Sequence, residues 1–169
     1  MRKEAYWVLL AQAGDREALE LLLRDVRPPL HRYLSRLAGA ALAEDLTQDV
    51  LLTIYRKLGA LREPALFRAW MYRIASRAAI RQLEREKRWP KEDAAVLEET
   101  AAETSVDAAT FESLAALDGV SVASRAVMVL HFQEELPLAE VAAILGIPTG
   151  TAKSRLAYGL AVLRKKLAK

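Results

Sequence analysis

A chain of 169 residues is long enough for one domain or two small ones, and Ala and Leu supply most of its apolar content, with only seven Gly and six Pro to interrupt them. That composition points to an all-α fold, and the absence of Cys excludes disulfides, thiolate metal sites and cysteine nucleophiles. Net charge is only +3, but residues 1–90 carry +6, residues 91–119 carry −7 and residues 120–169 carry +4, so two basic blocks suited to a polyanion flank an acidic middle.

The N-terminus, MRKEAYWVLLAQAGD, places Arg and Lys before an apolar stretch that is too short for a signal peptide and lacks a cleavage site. No apolar run approaches the roughly 20 residues that span a bilayer, so a cytoplasmic protein without membrane insertion is expected. Asp15, following Gly14, predicts the cap of a helix running to about Arg27, with Ala18, Leu19, Leu22 and Leu23 on one face. Pro28-Pro29 either breaks this helix or begins the next, which carries Leu30, Tyr33, Leu34 and Leu37 and ends at Gly39. His31 beside Arg32 at that helix start reads as a solvated residue, because nothing nearby supplies a second metal ligand.

The next helix, from Leu42 to Leu58, is sharply two-faced. Leu46, Val50, Ile54 and Leu58 recur every fourth residue and belong in a core. Glu44, Asp45, Gln48, Asp49 and Leu52 lie on the other side. The helix dipole is a sufficient structural reason for Glu44 and Asp45; an exposed Leu52 beside Gln48 and Asp49 fits a partner-binding face as well as a bare surface.

Gly59 ends that helix, and Arg62-Glu63-Pro64 forms a loop before a long helix from Leu66 to about Trp89. Phe67, Trp70, Met71, Ile74 and Ala78 make its expected core side. Arg73, Arg77, Arg81 and Arg85 stand four apart, a shallow spiral stripe covering about 20 Å. Like charges at that spacing repel, so the stripe does not stabilise the helix. From the residues alone it is either a solvated face or a track for a phosphate backbone. Tyr72 falls off the apolar face, where its ring can stack on an unpaired base.

Residues 90–108 begin at Pro90, are acidic and show no apolar period, which predicts a flexible linker. Helical pattern resumes at Phe111, Leu114 and Leu117, breaks at Asp118-Gly119 and restarts after Ser121 with Ala126, Val127, Val129, Leu130 and Phe132. His131 in this run reads as a core-edge residue.

Two further helices follow, joined by a tight turn. Val141, Ile144 and Leu145 give the first an apolar face, and Ala142 is small where two helices must cross closely. Gly146 can take the left-handed conformation that ends a helix, and Pro148 stops it resuming. Thr149 is the expected cap of the second, with Gly150 and Thr151 in its first turn and Lys153, Ser154 and Arg155 beyond. Ala152, Leu156, Leu160, Leu163 and Leu167 are expected to point inward. This is a helix-turn-helix, whose second helix reads DNA by its N-terminal residues; the alternative is a helical hairpin that only packs.

Two blocks now point to one family. AEDLTQDVLLTIYRKL followed by FRAWMYRIASRAAIRQLEREKR resembles the second conserved region of bacterial sigma factors, and SRAVMVLHFQEELPLAEVAAILGIPTGTAKSRLAYGLAVLRKKL resembles the fourth. Two such domains and a linker make up the extracytoplasmic-function group of the sigma-70 family. The resemblance implies two small helical domains, residues 1–89 and 109–169, joined by the acidic linker 90–108. It implies that Glu44, Asp45, Gln48, Asp49 and Leu52 dock on the clamp helices of the largest subunit of the RNA polymerase core. It gives the loop and following helix, with Arg62, Phe67, Arg68, Tyr72, Arg73, Arg77 and Arg81, to recognition and melting of the −10 promoter element. The −35 element falls to Thr149, Thr151, Lys153, Ser154, Arg155 and Tyr158.

The chain departs from the family pattern in places. Arg77 and Arg81 stand where members usually carry Asn and Asp. Glu135 replaces a usual Gly, Pro137 replaces a usual capping Ser, and Ala157-Tyr158-Gly159-Leu160 replaces a more cationic run, with Gly159 expected to weaken its helix by up to ~1 kcal/mol.

The function so implied is that of a sigma factor, a binding protein without catalytic residues or cofactors; the alternative is a sigma-like regulator that binds polymerase or a partner without opening promoters. A nucleic-acid enzyme fits poorly, because Glu44, Asp45 and Asp49 face out from one helix with no second group to complete a metal site. Two domains on a flexible linker also suit clamping by an anti-sigma factor.

Overall fold

The computed structural model describes residues 2–86 and 117–168. The expected linker at 90–108 and the helical pattern at Phe111 and Leu114 lie outside these residues. The chain divides into two compact units, Met1–Arg81 and Gln82–Lys169, and every described element is helical.

In the first unit, α1 (Lys3–Gln12) buries Ala5 and Val8. Lys3 clamps it to the next helix through Asp25 at 2.8 Å and lies 4.4 Å above the Trp7 ring. Gly14 reverses the chain at φ 99°. Asp15 then caps α2 (Arg16–Ala38) by accepting from the Ala18 amide at 3.1 Å.

Here the structure corrects one expectation, because α2 runs without a break through Pro28 and Pro29. A proline inside a helix costs about 3 kcal/mol through a lost hydrogen bond and a ring clash. Leu22 and Val26 before the pair, and Leu30, Tyr33, Leu34 and Leu37 after it, are wholly buried; at roughly 1.5–3 kcal/mol per side chain their packing outweighs the interruption. His31 consequently sits mid-helix and not at a helix start.

Gly39 (φ 93°, ψ 158°) turns the chain into α3 (Ala40–Lys57). Leu46, Val50, Ile54 and Leu58 are buried, as their spacing predicts. Two 3-10 turns follow, Leu58–Ala60 and Pro64–Leu66, and α4 (Phe67–Arg85) begins directly after the second.

The inward face of α4 differs from the expected one. Phe67 and Met71 are buried, but so are Tyr72, Ala75, Ser76 and Ala79, whereas Trp70, Ile74 and Ala78 are half-exposed. The buried stripe lies about one residue, roughly 100°, further round the helix. A polar network sets that rotation: the Tyr33 and Tyr72 rings meet edge to face at 5.1 Å. Ser76 Oγ donates to the Tyr72 carbonyl at 2.7 Å, which leaves it to accept from the Tyr33 hydroxyl at 2.6 Å.

In the second unit, Ser121 caps α5 (Val122–Phe132) by accepting from the Ser124 amide at 3.2 Å. Seven consecutive residues of α5, Ser124 to Leu130, are buried, which marks it as the central helix of its unit. Burial lowers the pKa of Arg125 to about 10 against the opposing pull of Asp118, and its guanidinium donates to the Leu117 carbonyl at 2.7 Å. His131 donates through Nδ1 to the Leu136 carbonyl, 2.8 Å away, and packs edge to face on Phe132. Glu135 turns the chain with a φ of 54°, the left-handed region that favours glycine. α6 (Leu138–Leu145) and α7 (Thr149–Leu167) complete the unit. Among the described residues no helix is long and apolar enough to cross a membrane.

Candidate functional site

Three exposed surfaces carry the candidate residues, two on the first unit and one on the second. On α3, Asp45, Gln48, Asp49 and Leu52 stand together on the outward face, with Leu52 45% exposed. Glu44 is exposed but engaged. It accepts from Gln48 at 3.2 Å and from Arg27, and His31 Nε2 lies 3.7 Å away. The Gln48 hydrogen bond and then the Arg27 guanidinium hold its carboxyl below the ordinary value of 4.5. Glu44 thus serves the α2–α3 contact, and the free carboxylates of the face are Asp45 and Asp49. Tyr55, 59% exposed, extends the same face by a turn.

The second surface is the loop between the 3-10 turns and the start of α4. Arg62 is exposed as expected. Phe67, whose spacing predicts the core although the resemblance gives it to the −10 element, and Tyr72, expected off the apolar face, are 1% and 2% exposed; both rings belong to the core. The apolar side chains in their place are Leu66, exposed at the tip of the second turn, and Trp70, half-exposed. Arg73, Arg77 and Arg81 are exposed on α4. With 100° per residue, Trp70 falls on the same side as these three arginines, so an aromatic does accompany the cationic stripe, at a different position. Arg68 is half-buried and paired through Nε with Glu4 at 2.9 Å, which neutralises it locally.

The third surface is the start of α7. Gly146 takes φ 67° and ψ 37°, with the Ile147 amide donating to Ala142 at 3.0 Å and its own amide to Ala143 at 3.3 Å. These two bonds close the helix end and fix the turn. Pro148, not Thr149, occupies the cap position, and no side chain caps the helix. Thr149, Lys153, Ser154 and Tyr158 are exposed, and Thr151 and Arg155 half-exposed. Helical geometry gathers Thr151, Ser154, Arg155 and Tyr158 on one stripe and sends Lys153 to the opposite flank. Ser154 Oγ bonds back to the Gly150 carbonyl at 3.0 Å.

Behind this stripe, Ala152, Gly159 and Leu163 are the buried residues of α7; Leu156 and Leu160 are only half-buried, and Leu167 is exposed. A Cβ on Gly159 would lie 2.3 Å from Met128 Sδ on α5. The glycine is therefore the point where α7 crosses α5.

Two residues that bear on these surfaces were missed in the sequence: Trp70 read there as core, and Gln12 carried no motif at all.

Residues 22–89 match the family model described as Sigma-70 region 2, and residues 116–165 that of Sigma-70, region 4. The chain is similar to the ECF RNA polymerase sigma factor SigM of Mycobacterium tuberculosis, 32% identical over 171 residues that cover 98% of this chain and 85% of that one. It is similar to SigW of Bacillus subtilis at 28% identity, covering 91% of each chain. The sigma factor RpoE of Bartonella quintana, solved in complex with the anti-sigma factor NepR, superposes with a TM-score of 0.67 at 26% identity, covering 88% of this chain and 96% of that one.

Proposed function

The chain belongs to the ECF RNA polymerase sigma factors, and from that premise we propose how its surfaces divide the work. As a sigma factor it directs RNA polymerase to specific promoters and initiates transcription there. The outward face of α3, Asp45, Gln48, Asp49 and Leu52, docks on the clamp helices of the largest polymerase subunit. The loop with Arg62 and Leu66, together with Trp70, Arg73, Arg77 and Arg81 of α4, opens the −10 element and holds the separated strand. Thr151, Arg155 and Tyr158 of α7 read the −35 element. Residues 90–108 link the two DNA-binding units.

The physical logic needs no catalytic residue in the chain. Strand opening costs stacking free energy, and binding realised only in the open state offsets it: extruded bases against the loop and Trp70, phosphates along the arginines. The polymerase supplies the chemistry. The RpoE–NepR complex supports a further partner for this chain, an anti-sigma factor.

The observation that carries the reading is the contrast within one unit. The exposed face of α3 is acidic and apolar, whereas that of α4 is cationic with an aromatic beside it; the first suits a protein partner and the second a nucleic-acid strand. Charge reversal tests it. Asp49→Arg is expected to weaken binding to core polymerase while the thermal midpoint stays put, and unchanged holoenzyme formation would contradict the docking face.

A further inference from the structure

α1 lies outside the residues that match Sigma-70 region 2, yet two of its polar side chains reach the loop just assigned to promoter opening. The Gln12 side-chain amide donates to the Leu58 carbonyl at 2.9 Å and to the Leu61 carbonyl at 2.8 Å. Both protons of one NH2 group therefore hold the turn that enters the loop, which the Leu61 amide also closes on Leu58 at 3.1 Å. At the other end, Glu4 accepts from Arg68 Nε at 2.9 Å. That carboxylate is only 13% exposed, so the pair is shielded from solvent on the α1 side.

Glu4 and Gln12 stand eight residues apart, about 12 Å along α1 and on the same side of it. Ala5 and Val8 are buried between them. One rigid helix thus grips the chain before residue 62 and after residue 66 at a fixed separation. Between those grips the Leu66 amide closes the second turn on the Glu63 carbonyl at 2.9 Å, and Arg62 and Leu66 are left facing solvent.

We infer that α1 is a positioning element for promoter opening, with Gln12 and Glu4 splinting the 61–66 loop in the shape that receives extruded bases. The inference rests on the reading of that loop as the −10 element's opener. A loop already ordered before DNA arrives loses little conformational freedom on capture, so more of its contact energy goes into holding strands apart. Neither Gln12 nor Glu4 touches DNA in this account; both act through the loop.

The test uses holoenzyme, on a genomic fragment that it transcribes, with permanganate reactivity of −10 thymines as the measure of opening. Gln12→Ala removes the amide, and Gln12→Glu keeps its shape while removing the donors. Both are expected to lower opening about tenfold, with core affinity unchanged and the fold retained. Combined with Leu66→Ala, the loss should be less than the product of the single losses. If Leu66→Ala and Arg62→Ala leave opening intact, the reading of the loop falls and the splint with it. If those variants lower opening but both Gln12 variants stay within twofold of wild type, the loop reading stands and the splint is overturned. A parallel drop in core binding and opening would also overturn it, because α1 would then only hold the fold together.

Discussion

Gly159 on α7 lies directly against Met128 on α5, so close that a Cβ at residue 159 would sit 2.3 Å from the Met128 sulfur. Met128 is fully buried, so its side chain must shift within the core to admit a Cβ. Helix propensity alone predicts that Gly159→Ala stabilises the protein by up to ~1 kcal/mol. Overpacking of a tight crossing costs about 1–3 kcal/mol. The variant is therefore expected to be less stable by about 1 kcal/mol in denaturant unfolding, and a gain in stability would show that the crossing is looser than this contact implies.

Glu135 offers the opposite opportunity. Its φ of 54° is strained for any residue with a Cβ. Glu135→Gly relieves that strain at the cost of a more flexible unfolded chain, for a net stabilisation of about 0.5–1 kcal/mol. Denaturant unfolding of the pair of proteins measures it, and a destabilised variant would count against strain at this turn.

The features that the sequence made legible were those with a local cause. Leu46, Val50, Ile54 and Leu58 repeat at helical spacing and are buried; Asp15 caps the helix it precedes; Gly146 takes the left-handed turn. Tertiary causes were hidden. α4 turns toward its core a side made partly of Ala75, Ser76 and Ala79, small residues that permit close approach but carry little hydrophobic signal, so Trp70 and Ile74 claimed the core by bulk. In α1 the run Tyr6 to Leu10 is apolar all round and offers no contrast between faces. Gln12 and Glu4 matter only through partners some fifty residues away or more. Of the candidate site, the helices and the arginine stripe could be read; which rings face outward could not.

Glu44 gives a prediction in pH. Its hydrogen bond from Gln48, followed by Arg27, depresses its pKa below 4.5 in the folded protein. A depressed carboxylate contributes stability above its unfolded pKa, and that contribution is lost as pH falls through the lower folded value. Carboxyl NMR titration should find Glu44 below 4.5, with Gln48→Ala and Arg27→Ala each moving it back up. A value in wild type equal to that of an unfolded peptide would show that Glu44 keeps neither the Gln48 nor the Arg27 contact in solution.

The two DNA surfaces should fail in different ways. If Arg77 meets a phosphate as proposed, Arg77→Ala should weaken holoenzyme binding alike across promoters and make the slope of log K against log salt shallower by about 0.7–0.9. If Arg155 enters the groove as proposed, Arg155→Ala should cost about 1–3 kcal/mol, confined to promoters with an intact −35 element. Equal affinity of the wild type for intact and scrambled −35 sequences would remove the basis for the second assignment.

We propose that this chain gives core polymerase its promoters through an acidic docking face, an arginine-lined opener and a helix-turn-helix. Run-off transcription from a genomic promoter library, with purified protein and core enzyme, tests it most directly. Discrete transcripts are expected, absent without the protein and sharply reduced by Asp49→Arg and by Arg77→Ala. Protein that binds core polymerase tightly yet yields no transcript from any fragment would contradict the account.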